Sequence, residues 1–94
     1  LKNIAEALKP EQTMRILVEG HTDNTGSEAK NWSLSFDRAL AVTLELIRQG
    51  VPPQRITASG RAHYAPIASN ASKDGRELNR RTEIILAPQE PAGN

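Results

Sequence analysis

The strongest constraint in this 94-residue chain is one long amphipathic period held between two short strand-like runs. Over residues 33–49, Ser35, Ala39, Val42 and Leu46 recur at helical spacing, flanked by Leu40 and Ile47, and Gly50 supplies the stop. Asn31 and Ser33 both qualify as its N-cap. Ahead of it, residues 15–19 carry Ile16-Leu17-Val18 between polar ends and read as a short buried strand. Behind it, past a Val51-Pro52-Pro53 turn, residues 55–59 read as a second strand closed by Gly60. That order favours a parallel pair joined by a right-handed β-α-β crossover, with helices on one face of the sheet.

The rest of the chain extends this layer. Residues 1–9, LKNIAEALK, place Leu1, Ile4, Ala5 and Leu8 on one helical face, and Pro10 ends the run. Residues 61–75 are loop-like, punctuated by Pro66, Asn70 and Gly75. Residues 82–87, TEIILA, give a third strand, and the PQEPAGN that follows reads as a flexible tail or linker. Helix, strand, helix, strand, strand makes an α/β layer with a sparse sheet. Leu1 lies inside an amphipathic pattern, so the chain reads as a piece of a longer protein, with a further strand expected before it.

Composition narrows the function classes. Hydrophobic residues make up 37% of the chain and Trp32, Phe36 and Tyr64 are its three aromatics, so aliphatic side chains must build a thin core. Twelve basic residues against eleven acidic ones lack the basic excess of a non-specific nucleic-acid binder. With no cysteine, disulfides, thiolate metal sites and cysteine nucleophiles are excluded. No apolar run approaches the length of a transmembrane helix, and no signal-peptide pattern is present.

Chemistry concentrates in EGHTDNTGS, residues 19–27, directly after the first strand. Asp23 in a loop rich in Gly and Asn suits an Asx-turn or a helix cap. Its place at the C-terminal end of a strand in an α/β unit is also where such sheets bind ligands. Arg38 sits beside the buried helical stripe, either as a surface arginine with its stem along the core edge or as a guanidinium fork at the rim of that cleft. Asp23 and Arg38 together make either an ion pair or a two-handed receptor. The fork takes a carboxylate in bidentate fashion and the aspartate takes an ammonium, so the pair matches a free amino-acid end. Backbone donors at the helix start would favour the same carboxylate.

Two other clusters carry weaker signals. His21 with Asp23 and Ser33 or Ser35 sketches a hydrolytic triad, and His21 with Asp23 half a metal site. Neither spacing matches a motif with mechanical sense, and a histidine at a strand end is more often structural. No catalytic residue, cofactor or metal site is therefore expected. Arg76, Arg80 and Arg81 lack interleaved aromatics for base stacking and are diluted by Glu77 and Glu83. One of the adjacent arginines entering the strand is expected to face solvent and one to pack, which leaves one available to the cleft.

Taken together, VEGHTDNTGS at 18–27, NWSLSFDRALAV at 31–42 and GRELNRRTEIIL at 75–86 resemble the OmpA-like C-terminal domain, the peptidoglycan-binding module of Gram-negative envelopes. GVPPQRITASGRAHYAPIASN at 50–70 also fits the family's spacing. The resemblance covers nearly the whole chain before the tail. It implies a two-layer β-α-β-α-β-β sandwich, with residues 1–87 as the domain lacking its first strand and 88–94 as the tail. It also implies recognition of diaminopimelate in the peptidoglycan stem peptide by Asp23 and Arg38. By the same analogy Thr22, Asn24, Thr25 and Gly26 contact the ligand or shape the loop, Asn31 and Leu34 line the cleft, and Arg80 borders it. Ala62 stands where many relatives have a second glycine after Gly60, a departure expected to alter loop shape more than binding.

The leading expectation is a non-catalytic module anchoring a membrane-attached envelope protein to peptidoglycan in the periplasm, next to the outer membrane. The alternative is a periplasmic protein–protein assembly module of stator or secretion-system type, expected to dimerise. An enzyme acting through His21 and Asp23 ranks third.

Overall fold

The structure, a computed structural model, describes residues 2–8 and 14–88. A helix α1 (Lys2–Leu8) is followed by β1 (Met14–Gly20), α2 (Glu28–Arg48), a 3-10 turn (Pro53–Arg55), β2 (Ile56–Gly60), α3 (Lys73–Asn79) and β3 (Thr82–Pro88). Residues 89–94, the greater part of the expected tail, lie outside the described residues. Pro88, expected to begin that tail, is the last residue of β3 and pairs with Met14.

The sheet has the order β2-β1-β3. β1 and β2 run parallel, as the crossover through α2 requires, and β3 lies antiparallel on the other side of β1. Along β1 burial follows the period of two: Ile16, Val18 and Gly20 are buried, while Arg15 is exposed and Leu17 and Glu19 are half-buried. Ile16 and Val18 join Ala5 and Leu8 of α1, Ala39 and Leu46 of α2, and Val51 in one aliphatic core, with Val42, Ile56, Ala58 and Ile84 packed against it. No aromatic ring enters that cluster.

α2 begins five residues before the expected start at residue 33. Neither Asn31 nor Ser33 caps it. Ser27 does, with extended backbone and a hydroxyl that accepts from the Lys30 N–H at 3.2 Å, and Glu28 places an acidic side chain in the first turn. Residues 28–31 contain no large apolar side chain, so the hydrophobic period passes over them. The buried stripe is Asn31, Ser35, Ala39, Thr43 and Leu46; Val42 is half-buried and Leu40 exposed.

Two glycines set how closely α2 lies on the sheet. Gly20 and Gly60 are register partners at the ends of the parallel strands. A Cβ on Gly20 would stand 1.8 Å from the Ser35 carbonyl oxygen, and one on Gly60 would stand 2.7 Å from the Phe36 nitrogen. The helix backbone rests directly on this rung.

The third helix was not legible as an apolar period. α3 is seven residues long, and its one large apolar side chain, Leu78, is 59% exposed. Ser72 caps it by accepting from Gly75 N at 2.9 Å. Gly75 packs against the Ser69 carbonyl, where a Cβ would fall 1.8 Å away. Asn79, fully buried, accepts from Ile67 N (2.8 Å) and Ala68 N (3.0 Å) and donates to Ala68 O (2.9 Å) and Asn70 Oδ1 (2.8 Å). One amide side chain thereby fixes the segment between β2 and α3.

Candidate functional site

Beyond Gly20 the chain stays pinned between its neighbours. His21 N donates to Arg81 O and Thr22 N to Ala62 O, both at 2.8 Å, and Arg61 N donates to Gly20 O at 3.0 Å. The loop thus leaves the sheet from a fixed base. Ala62 adopts a left-handed φ of 51° and is fully buried; its N–H donates to Ser35 Oγ at 3.0 Å. The chain keeps here the backbone a glycine would favour, held by hydrogen bonds on both sides of the residue.

Asp23 is 7% exposed. Its Oδ1 accepts from Thr25 N at 2.8 Å, an Asx-turn, and its Oδ2 accepts from Arg80 Nη1 at 2.5 Å. Burial works against the charge, but the hydrogen bonds from Thr25 and Arg80 outweigh it and hold the carboxyl below its ordinary value of 3.8. Asp23 is therefore a turn-former and an ionised group at once. Thr22 is buried and its Oγ1 donates to the Asp23 carbonyl at 2.9 Å, which shapes the loop from beneath. Asn24, Thr25 and Gly26 are exposed at the tip, and Gly26 takes a φ of 84°.

The ion-pair alternative for Asp23 and Arg38 is not what forms. The partner of Asp23 is Arg80, supplied from the far end of α3. Arg38 is half-buried and makes no hydrogen bond or ion pair among the described residues. Because α2 starts at Glu28, Arg38 stands ten residues along the helix, about 15 Å of rise from its first residue. The expected help from the helix N-terminus is thus absent at Arg38. Asn31, Leu34 and Arg38 share one side of α2 at i, i+3 and i+7. Asn31 is buried, with Nδ2 at 3.5 Å from His63 Nδ1, whereas Leu34 is 37% exposed.

The adjacent arginines differ in burial and in partner. Arg80 reaches the loop after β1, where it donates to Asp23 Oδ2. Arg81 is the more buried and pairs with Glu83 at 2.6 Å while donating to Ala65 O.

The triad sketch has no geometric support. His21 is buried with neither ring nitrogen hydrogen-bonded among the described residues, and Ser35 Oγ is engaged with Trp32 O and Ala62 N. His21 Nε2 lies 3.6 Å from Glu19 and 3.8 Å from Glu83, which face each other across β1 and β3. These three residues have metal-ligand chemistry, with ligand atoms within 4.8 Å of one another. Arg81 on Glu83 and Arg61, 3.9 Å from Glu19, already counter the two carboxylates. Burial, followed by the Arg81 charge, lowers the His21 pKa from 6.5.

One feature of the site had no signal in the sequence. Trp32 and Tyr64 stack with ring centroids 5.6 Å apart, and Tyr64 stacks on His63 at 4.3 Å. The Tyr64 hydroxyl donates to Glu28, a bond that raises the phenol pKa. No periodicity relates residues 32 and 64.

Comparison with known proteins gives a consistent pattern. The OmpA family profile matches residues 1–80. The peptidoglycan-binding protein ArfA of Mycobacterium tuberculosis is 43% identical over 86 residues, covering 92% of this chain and 26% of the relative. This chain thus spans about a quarter of that relative's length. Among solved structures, the peptidoglycan-associated lipoprotein from Burkholderia pseudomallei superposes with a TM-score of 0.87 at 28% identity, covering 92% of this chain and 73% of the other. The C-terminal domain of Helicobacter pylori MotB gives 0.82 at 32% identity, covering 95% and 71%.

Proposed function

The chain belongs to the OmpA family, and on that premise we propose that it is a non-catalytic module that binds peptidoglycan and ties an envelope protein to the cell wall from the periplasmic side. The ligand group is the free amino-acid end of diaminopimelate in the stem peptide. The observation that carries this reading is Arg38, a half-buried guanidinium without a protein anion among the described residues, on the helix that follows a loop with a fixed, ionised aspartate. A partly buried guanidinium with no anion beside it leaves its fork of donors open to an anionic partner from outside the chain.

In this reading Arg38 takes the ligand carboxylate as a fork, and Asp23 takes the ammonium with the lone pairs that Thr25 and Arg80 leave open. Arg80 orients Asp23 rather than competing for the ligand. Thr22 and Gly26 shape the loop, Asn24 and Thr25 border the ligand, and Leu34 and Asn31 form the wall along α2. Peptidoglycan recognition by name in one relative and association by name in another support the partner.

The test is a two-dimensional NMR titration with a diaminopimelate-containing muropeptide, wild type beside Arg38→Ala. Shifts clustered over residues 20–38 are expected in the wild type. Losing the charge-assisted contact weakens affinity by about 2–5 kcal/mol, so the variant should stay unshifted while folded. A folded wild type without shifts sinks the proposal.

A second reading is favoured by one surface. Trp32, Phe36, Leu40 and Leu44 follow at i, i+4 spacing down α2 and are 45%, 43%, 37% and 56% exposed. Such an apolar stripe suits protein contact, in keeping with the likeness to a MotB domain. Sedimentation showing a monomer at high concentration would argue against it.

A further inference from the structure

We propose that the ring column formed by His63, Tyr64 and Trp32 is a sugar-stacking subsite that takes a pyranose of the glycan strand. It rests on the peptidoglycan reading and adds the saccharide half of that ligand.

Two of the chain's three aromatic side chains meet at one place on the surface, where Trp32 is 45% and Tyr64 53% exposed. Stacked on one another, both rings still leave about half of their surface to solvent. The column is held before any ligand arrives: the Tyr64 hydroxyl is tied to Glu28, Tyr64 N donates to Arg61 O at 3.2 Å, and His63 faces Asn31. A prearranged aromatic face loses little entropy on binding. Such a face suits the C–H side of a pyranose, while the Glu28 carboxylate and the His63 ring at its border offer partners to hydroxyl and acetamido groups.

Charge decides against another stacking polymer. Phosphate-bearing strands need cations tracking the backbone, and the group bonded to this column is a carboxylate. Position ties the column to the peptide cleft. Thr22 N bonds to Ala62 O, which links the Asp23 loop to the turn carrying His63 and Tyr64. Asn31, on the cleft wall, contacts His63, and Trp32 is its neighbour in the chain.

The experiment compares three probes: a diaminopimelate stem peptide without sugar, the N-acetylglucosamine–N-acetylmuramic acid disaccharide without peptide, and the intact muropeptide. Trp32 is the sole tryptophan, so its fluorescence reports on the column directly. The wild type should bind intact muropeptide about tenfold more tightly than stem peptide, the scale expected for a buried aromatic contact. Trp32→Ala and Tyr64→Ala, both at exposed positions, should erase that difference and leave stem-peptide affinity unchanged; Trp32→Phe should retain most of it. Equal affinity of the wild type for stem peptide and muropeptide, or an unchanged difference in both alanine variants, overturns the inference and leaves the peptide cleft standing. Disaccharide binding that perturbs Trp32 without any stem-peptide binding upholds the inference and sinks the diaminopimelate reading. Binding of none of the three overturns both.

Discussion

Arg80 donates to the Asp23 carboxylate at 2.5 Å across 57 positions of sequence, and this bond joins the end of α3 to the loop after β1. It gives Arg80 a role distinct from that of Arg38. One arginine is committed to the protein, and the other has no protein partner among the described residues.

Removing Arg80 should therefore act first on Asp23. In Arg80→Ala the Asp23 pKa should rise, since burial is then opposed by Thr25 alone. The native pKa lies below the ordinary 3.8, so Asp23 contributes stability that is fully present above pH 3.8 and is lost as pH falls through the native value. Arg80 is partly solvent-screened, so the variant should lose only about 0.5–1 kcal/mol at neutral pH. Carbon-detected titration of the Asp23 carboxyl and urea unfolding measure the two effects. An unmoved Asp23 titration would remove Arg80 from this role.

His21 should make the fold acid-sensitive in a higher window. Its native pKa is depressed below 6.5, so the unfolded chain binds the proton more readily. Stability is then full above pH 6.5 and declines as pH falls through the native pKa. Thermal unfolding from pH 7.5 to 5 should show this fall in the wild type and a flatter profile in His21→Gln. Parallel profiles would show that His21 does not carry the effect.

The glycine rung should resist even a methyl group. Gly20→Ala drives a Cβ into the Ser35 carbonyl, and Gly60→Ala drives one against the Phe36 backbone. Helix backbone yields less than a side chain, so each should lose about 1–3 kcal/mol or more. Gly26→Ala serves as the contrast: its Cβ meets nothing within 4 Å, and only the positive φ opposes it. Denaturant midpoints should rank Gly26→Ala as the mildest of the three.

Asn79 should matter far more than its place in a short helix suggests. Asn79→Ala removes four hydrogen bonds and strands the Ile67 and Ala68 N–H groups, with an expected loss of about 2–4 kcal/mol. Hydrogen exchange should show the loss first at Ile67 and Ala68. Unchanged protection there would mean that the segment is held by other contacts.

Much of this protein is legible in one dimension. The apolar runs of β1, β2 and β3 and the long period of α2 come from local patterning, because burial repeats every two residues on a strand and every 3.6 on a helix. The order of those elements decides the parallel β1–β2 pair, since a helix between two strands returns the chain in the same direction. Asp23 and Arg38 stand out by residue type and motif. Tertiary structure alone decided the rest. The first turn of α2 and all of α3 depend on the Ser27 and Ser72 caps and on the Gly75 approach to Ser69, none of which produces an apolar period. The pairing of Asp23 with Arg80 in place of Arg38, and the stacking of Trp32 on Tyr64, join residues far apart in the chain. Contacts of that kind exist only once the sheet has brought its strand ends together, and residue spacing carries no record of them.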